Sequence, residues 1–172
     1  MRLPLRVTDD STAQNGDAGA SGGSLISPNS QPERTPHPYE ALPQLSVQAA
    51  EEGMLGAALG RMTDSEERSK GDHLRLIHAI GRRGITGGSF SLPTFGAVFD
   101  AAVELRAAGD GLAADPRDVF ARLVEWAKAD RATSAYGVDP IGDLKEWSDR
   151  APNPGDIDRY AWTVARYAYE RA

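Results

Sequence analysis

The 172-residue chain contains no cysteine and only three histidines. Without cysteine there are no disulfides, no thiolate metal ligands and no cysteine nucleophile, and three scattered histidines give no pattern for a zinc site. Long apolar runs are also missing. No stretch approaches the ~20 residues of a membrane-spanning helix, and residues 1–10 have too short an apolar stretch for a signal peptide. We therefore expect a cytoplasmic protein without membrane contact.

Motifs for nucleotide or hydrolytic chemistry are lacking as well. The glycine-rich segment 81–88 has no lysine of the kind that a P-loop directs at phosphates, and no metalloprotease or nucleophile-elbow motif occurs. Clustered carboxylates are interpreted as solvated surface and not as catalytic pairs: Glu51, Glu52, Asp64, Glu66 and Glu67. We expect no enzymatic activity and no catalytic, cofactor-binding or metal-binding residue.

The first 39 residues differ in composition from the rest of the chain. They are rich in serine, proline and glycine, and their few apolar residues follow no period. Such a segment buries too little surface to offset the entropy lost on ordering. The composition predicts a disordered tail over 1–39 and a folded domain over 40–172.

From residue 42 onward, apolar residues recur at the spacing of one helix face. The second helix is expected to turn Leu74, Ile77 and His78 inward, and no alternating pattern of β-branched residues suggests a strand. Four residues are assigned to the core: Phe90, Phe95, Phe99 and Leu105. The pattern predicts an all-α fold with helices near 42–62, 72–81, 93–109, 115–127, 140–150 and 155–168.

The last two predicted helices are joined by the short, proline-rich link 151–154. Helices joined so tightly tend to form an antiparallel hairpin, which we place at about 140–172. Aromatic residues concentrate there, and they either fill a core or face a partner. The residues predicted to form an interaction surface on this hairpin are Ile141, Leu144, Trp147, Ile157, Tyr160, Trp162, Val164, Tyr167 and Tyr169.

A basic cluster is formed in the sequence by His73, Arg75, Arg82 and Arg83. Two interpretations stay open, an ordinary solvated surface or a contact to phosphate or nucleic acid. The formal net charge of −6 disfavours binding through phosphate contacts alone.

Four segments, in order, resemble the N-terminal domain of DnaB-type replicative DNA helicases. Residues 50–59 are similar to the family's opening helix, A-E-x-x-[VL]-L-G-x-[LM]-[LM]. Residues 90–109 place Phe90, Pro93, Phe99 and Gly109 at the spacing of a second family motif, and Val98, Ala101 and Leu105 fit it too. Asp115, Val119 and Leu123 match a third. Residues 152–164, Pro-Asn-Pro-Gly-Asp-Ile-Asp-Arg-Tyr-Ala-Trp-Thr-Val, match a fourth motif that leads to Arg171.

The resemblance has departures. Phe95-Gly96 stands where the family has His-Arg, Asp156 replaces an asparagine, and the stretch 61–89 is longer than usual. No RecA-like ATPase segment is found in the 172 residues, so helicase activity is not expected of them.

By resemblance, the domain would be an orthogonal helical head followed by the helical hairpin. The resemblance implies a protein-interaction module that self-associates as a weak dimer or higher oligomer, and that acts in DNA replication as adaptor or regulator. Its partners would be a replicative helicase, a primase or a loader. The alternative is a nucleic-acid-binding regulator that uses the basic cluster at 73–83.

Overall fold

The computed structural model describes residues 34–128 and 142–172. The described residues from His37 onward form a compact unit, and residues 34–36 are exposed. The described residues contain helices and no strand, which confirms the predicted all-α class. The helices are α1 (Val47–Leu59), α2 (Glu66–Arg83), α3 (Pro93–Ala108), α4 (Pro116–Lys128), α5 (Gly142–Asp149) and α6 (Ile157–Arg171), with 3₁₀ turns at Pro38–Ala41, Gly87–Ser89 and Pro154–Asp156.

Helix α1 is the centre of the unit and packs against α2, α3, α5 and α6. Its first turn is fixed by Ser46, whose hydroxyl accepts a hydrogen bond from the Ala49 amide at 3.1 Å. The helix therefore begins at Val47 and not at residue 42, and it ends at Gly60, whose φ is +74°. Nine of its 13 residues are buried, including Glu51, which was expected on the surface.

Small residues let neighbouring elements lie close to α1. A side chain at Gly53 would collide with the ring of Tyr160 on α6. A Cβ atom at Gly56 would lie 2.7 Å from the backbone nitrogen of Ala151, just after α5. Packing on α1 thus depends on these two glycines, because any larger side chain would push α5 or α6 away.

Helix α2 is longer than predicted, and its inward face is different. Ser65 caps its start, and Gly84 ends it in the left-handed conformation at φ +65°. Residues Leu74, Ile77 and His78 were expected inside, but all three are exposed. The inward residues are Ser69, His73, Leu76 and Ala79. Two apolar sets in α2 satisfy helical spacing, and the sequence pattern alone favoured the wrong one.

Helices α3 and α4 begin where their start signals predict. Pro93 opens α3, and the Asp115 carboxylate accepts from the Arg117 amide at 2.8 Å before α4. The predicted core residues pack as expected. Phe90 and Phe99 are buried with ring centroids 4.8 Å apart. Phe95 and Leu105 are partly buried against the same core.

The predicted hairpin does not form between the described parts of α5 and α6. Each of the two helices packs on α1, α6 also packs on α2, and contacts between α5 and α6 are few. At Gly53 and Gly56 the backbone of α1 is closely approached by Tyr160 of α6 and by Ala151 just after α5, so both helices pack on α1.

Candidate interaction surface

Most of the residues predicted to face a partner instead hold the single chain together. Leu144, Ile157 and Val164 are buried in the core. Trp147 is 8% exposed and meets Phe95 edge-on, with ring centroids 5.2 Å apart. Ile141 lies outside the described residues. A segment whose apolar residues are already buried has little apolar surface left for a second molecule.

The segment just before α1 covers Trp162. The His37 ring stacks on the indole with centroids 4.9 Å apart, and Tyr39 meets it edge-on at 5.9 Å. The Arg166 guanidinium lies 5.6 Å from the indole centroid on the same helix. Both His37 and Tyr39 fall within the predicted tail, yet they belong to the folded unit. Residues 1–33 of that tail lie outside the described residues.

Asp158 ties this covering segment to α2. Its carboxylate accepts from Arg83 Nη2 at 2.8 Å and from the Tyr39 hydroxyl at 2.9 Å. The hydrogen bond from Arg83 lowers the pKa of Asp158, while burial and the hydrogen bond to Asp158 raise the pKa of Tyr39. The site is polar and partly exposed, and its groups satisfy one another, which is typical of a structural clamp.

Two aromatic side chains of α6 remain to be placed. Tyr169 is 84% exposed, and Tyr167 is half-buried. Tyr160 is half-buried against Gly53. Of the nine residues predicted for the interaction surface, Tyr169 is the one that the structure shows largely open to solvent.

The basic cluster of the sequence does not form one surface. His73 is buried, and burial followed by the charge of Arg106 lowers its pKa. Arg83 is bound to Asp158, and Arg75 lies 3.7 Å from the Asp72 carboxylate. Arg82 is half-exposed, 3.9 Å from Asp158. Arg82 and Arg83 thus share the Asp158 carboxylate, Arg75 faces Asp72 and His73 is turned into the core, so the four residues do not form one free basic surface.

Arg106 is a buried residue that the sequence reasoning missed. It is 1% exposed, and its guanidinium donates to the carbonyls of Ala57 at 2.7 Å, Ser69 at 2.7 Å and Gly111 at 3.0 Å. Among the described residues, Arg106 Nε and His73 Nδ1 find no hydrogen-bond partner. A cavity of about 20 Å³ beside Arg106 has room for about one water. A signal was present, since residue 106 follows Phe99 and Ala102 by seven and four positions on the apolar stripe of α3.

A larger surface cavity of about 310 Å³ lies where the α1–α2 loop, α4 and α5 meet. Its wall carries charges of both signs, including Asp115, Arg117 and Lys145. Two of its polar groups are already hydrogen-bonded within the fold. Asp115 caps α4, and the Ser148 hydroxyl donates to the Gly60 carbonyl. Nothing in this lining points to one ligand.

The outer face of α2 is the least explained surface of the described residues. Leu74 is 69% exposed and Ile77 is 40% exposed, one helical turn apart. Gly71 and Gly81 lie near them with open space around each. We call this surface, formed by Glu67, Gly71, Leu74, Ile77, His78, Gly81 and Arg82, the outer face of α2. Leu74 and Ile77 are not part of the hydrophobic core, and together with the two glycines they make this surface a candidate contact for another molecule.

No helix within residues 34–128 and 142–172 combines the length and apolar character required to cross a membrane. Over the same residues, no three carboxylate or imidazole side chains gather as they would around a metal ion. Comparisons with protein-family models, curated proteins and solved structures return no match to this chain. The resemblance to replicative helicase N-terminal domains therefore stays a prediction from the sequence.

Proposed function

We propose that this chain is a non-catalytic helical module that binds protein partners through the outer face of α2. The observation that supports the proposal is the 69% exposure of Leu74 beside Ile77 on a helix whose opposite face is fully used for packing. Burial of Leu74 against a partner would contribute up to ~1.5–3 kcal/mol before association costs, and Ile77, which is only 40% exposed, would contribute less.

The sequence resemblance supplies the identity of the proposed partners. A module of this kind would act in DNA replication, as adaptor or regulator of a replicative helicase, a primase or a loader. The interaction surface would differ from the one first expected on residues 140–172, because the apolar residues of α5 and α6 are buried in the core.

The test is binding of the immobilised full chain to the purified helicase, primase and loader of its own source organism. We expect at least one of them to bind, and the double variant Leu74→Glu/Ile77→Glu to lose most of that binding with an unchanged thermal melt. The matched control is Tyr169→Glu, since Tyr169 is the exposed aromatic of α6. Loss with Tyr169→Glu and not with the α2 variant would return the interface to α6.

Nucleic acid is the second ligand to include in that assay. The half-exposed Arg75 and Arg82 are the members of the basic cluster able to reach a phosphate. Salt-dependent DNA binding that disappears with Arg75→Ala/Arg82→Ala would replace the protein-binding proposal with the nucleic-acid alternative.

A further inference from the structure

We infer that a second copy of this chain docks on the outer face of α2, with the two α2 helices antiparallel and centred beside Leu74. The inference rests on the proposed function, because it names the partner that this face fits best. The basis of the inference is that the outer face of α2 is complementary to itself when two copies are placed antiparallel.

The outer face contains one continuous helical stripe at positions 67, 71, 74, 78 and 82. These positions are spaced by four, three, four and four residues, so they follow one side of a helix over roughly 22 Å. The stripe begins with Glu67, continues through Gly71, Leu74 and His78, and ends with Arg82. It is acidic at the amino end, apolar and small in the middle, and basic at the carboxyl end.

Antiparallel pairing matches this stripe with itself. In this pairing, a residue faces the residue of the other copy when their two residue numbers add up to about 149. The two Leu74 side chains therefore lie side by side, next to the two-fold axis. Gly71 lies opposite His78, and the open space at Gly71 receives the imidazole. Glu67 lies opposite Arg82. The Arg82 side chain is half-exposed, and the carboxylate that competes for it is that of Asp158, 3.9 Å away. The Glu67–Arg82 charge contact and the Gly71–His78 packing contact each occur twice, because a two-fold interface repeats every contact.

The orientation has a second electrostatic reason. Antiparallel helices place the positive amino end of each helix dipole beside the negative carboxyl end of the other. Parallel pairing would set Glu67 against Glu67 and Arg82 against Arg82, which is repulsive. The charges of Glu67 and Arg82 thus favour a second copy turned end over end, while Arg75, beside the two-fold axis, is paired with Asp72 of its own helix at 3.7 Å.

The expected dimer is weak. One helix pair buries less than the ~800 Å² per partner of a standard interface, and association costs reduce what the buried area contributes. We expect dissociation constants in the micromolar range or above, so that dilute protein is a monomer.

The first experiment uses the absence of cysteine in the chain. In the full-length protein, Leu74→Cys places one thiol per copy next to the two-fold axis, where two Cα atoms can come within the ~4.4–6.8 Å that a disulfide needs. We expect rapid, nearly complete disulfide-linked dimer under mild oxidation. The control Tyr169→Cys carries its thiol at an even more exposed position, 84% against 69% for residue 74, and should cross-link slowly. Equal rates for the two variants would overturn the inference.

The second experiment reverses charges and follows sedimentation across concentrations from ~10 µM to ~1 mM. Glu67→Arg and Arg82→Glu should each weaken the dimer at least about threefold, because each places like charges opposite one another twice. The double variant Glu67→Arg/Arg82→Glu restores opposite charges and should recover the wild-type constant. Failure of the double variant to recover, with normal thermal melts for all variants, would contradict the antiparallel pairing.

One result separates this inference from the proposed function. If the wild-type chain stays monomeric at the highest concentration, while Leu74→Glu/Ile77→Glu abolishes binding to a purified partner protein, the second copy is wrong and the docking face stands. If Leu74→Glu/Ile77→Glu changes neither the dimerisation of the chain nor its binding to a partner protein, both proposals fail.

Discussion

Helices α1 and α2 use their residues in opposite ways. Helix α1 is surrounded by four other helices, and its glycines and alanines let those neighbours approach. Helix α2 is stabilised on one side only, by Leu76 and Ala79, while its other side exposes Leu74 and Ile77. The contrast shows which apolar residues folding requires and which it leaves available for a partner.

The largest difference in the free energy of unfolding is expected between alanine variants of two leucines. Leu55 on α1 is 0% exposed and Leu74 on α2 is 69% exposed. Leu55→Ala should lower the free energy of unfolding by ~2–5 kcal/mol, because it leaves a cavity in the core. Leu74→Ala should change it by less than ~0.5 kcal/mol, since leucine and alanine are both good helix formers. Urea denaturation of dilute monomer measures both.

Similar losses for the two leucine variants would break the comparison. A large loss at Leu74 would mean that this side chain packs within its own chain, and that the outer face of α2 is not free for docking.

The next comparison is between two glycines, whose replacement by alanine is expected to change stability in opposite directions. Gly56→Ala on α1 places a methyl group 2.8 Å from the Cα atom of Ala151, and overpacking of this kind costs ~1–3 kcal/mol. Gly81→Ala on α2 meets no atom within 4 Å and should stabilise the helix by ~0.5–1 kcal/mol. Thermal melts of both variants, compared with the wild type, give the two signs directly.

Gly56→Ala would also test why α5 and α6 pack on α1 and not on each other. A variant as stable as the wild type would show that α5 can shift away from α1 without loss, which would contradict the tight contact at Gly56.

The smallest difference concerns two histidines of α2. His73 lies inside against Arg106, with Lys70 one turn before it, and His78 lies outside. Because burial and Arg106 lower the pKa of His73, this residue stabilises the fold fully above its unfolded pKa of about 6.5, and that contribution is lost as the pH falls through the lower folded pKa. His73→Leu should flatten the decline in stability as the pH falls below about 6.5.

The control for this prediction is His78→Leu, which removes an exposed imidazole from the same helix and leaves His73 and Arg106 in place. Denaturation curves at several pH values would decide. An unchanged slope in His73→Leu would mean that another group governs the acid response.

Local signals in the sequence predicted much of this fold. Pro93 and Asp115-Pro116 marked the starts of α3 and α4, and Phe90 and Phe99 were correctly assigned to the core. These predictions succeed because caps and apolar stripes act within one helix.

The remaining features depend on what lies across the fold. The register of α2 could not be read from the sequence, because two sets of its apolar residues both fit a helix face. The arrangement of α5 and α6 depended on the space that Gly53 and Gly56 leave on α1. The candidate surface was missed for the same reason, since Leu74 and Ile77 were assigned to the inside.

The most direct test of the docking face is an amide NMR titration of the full 18.4 kDa chain with itself, from dilute to concentrated. We expect rising concentration to move the signals of Gly71, Leu74, Arg75 and His78 on α2, while those of α1 and of Tyr167 and Tyr169 on α6 stay in place. Shifts confined to α6 would contradict the docking face on α2. So would the absence of any shift at all concentrations, if the α2 signals also fail to respond to purified partner proteins.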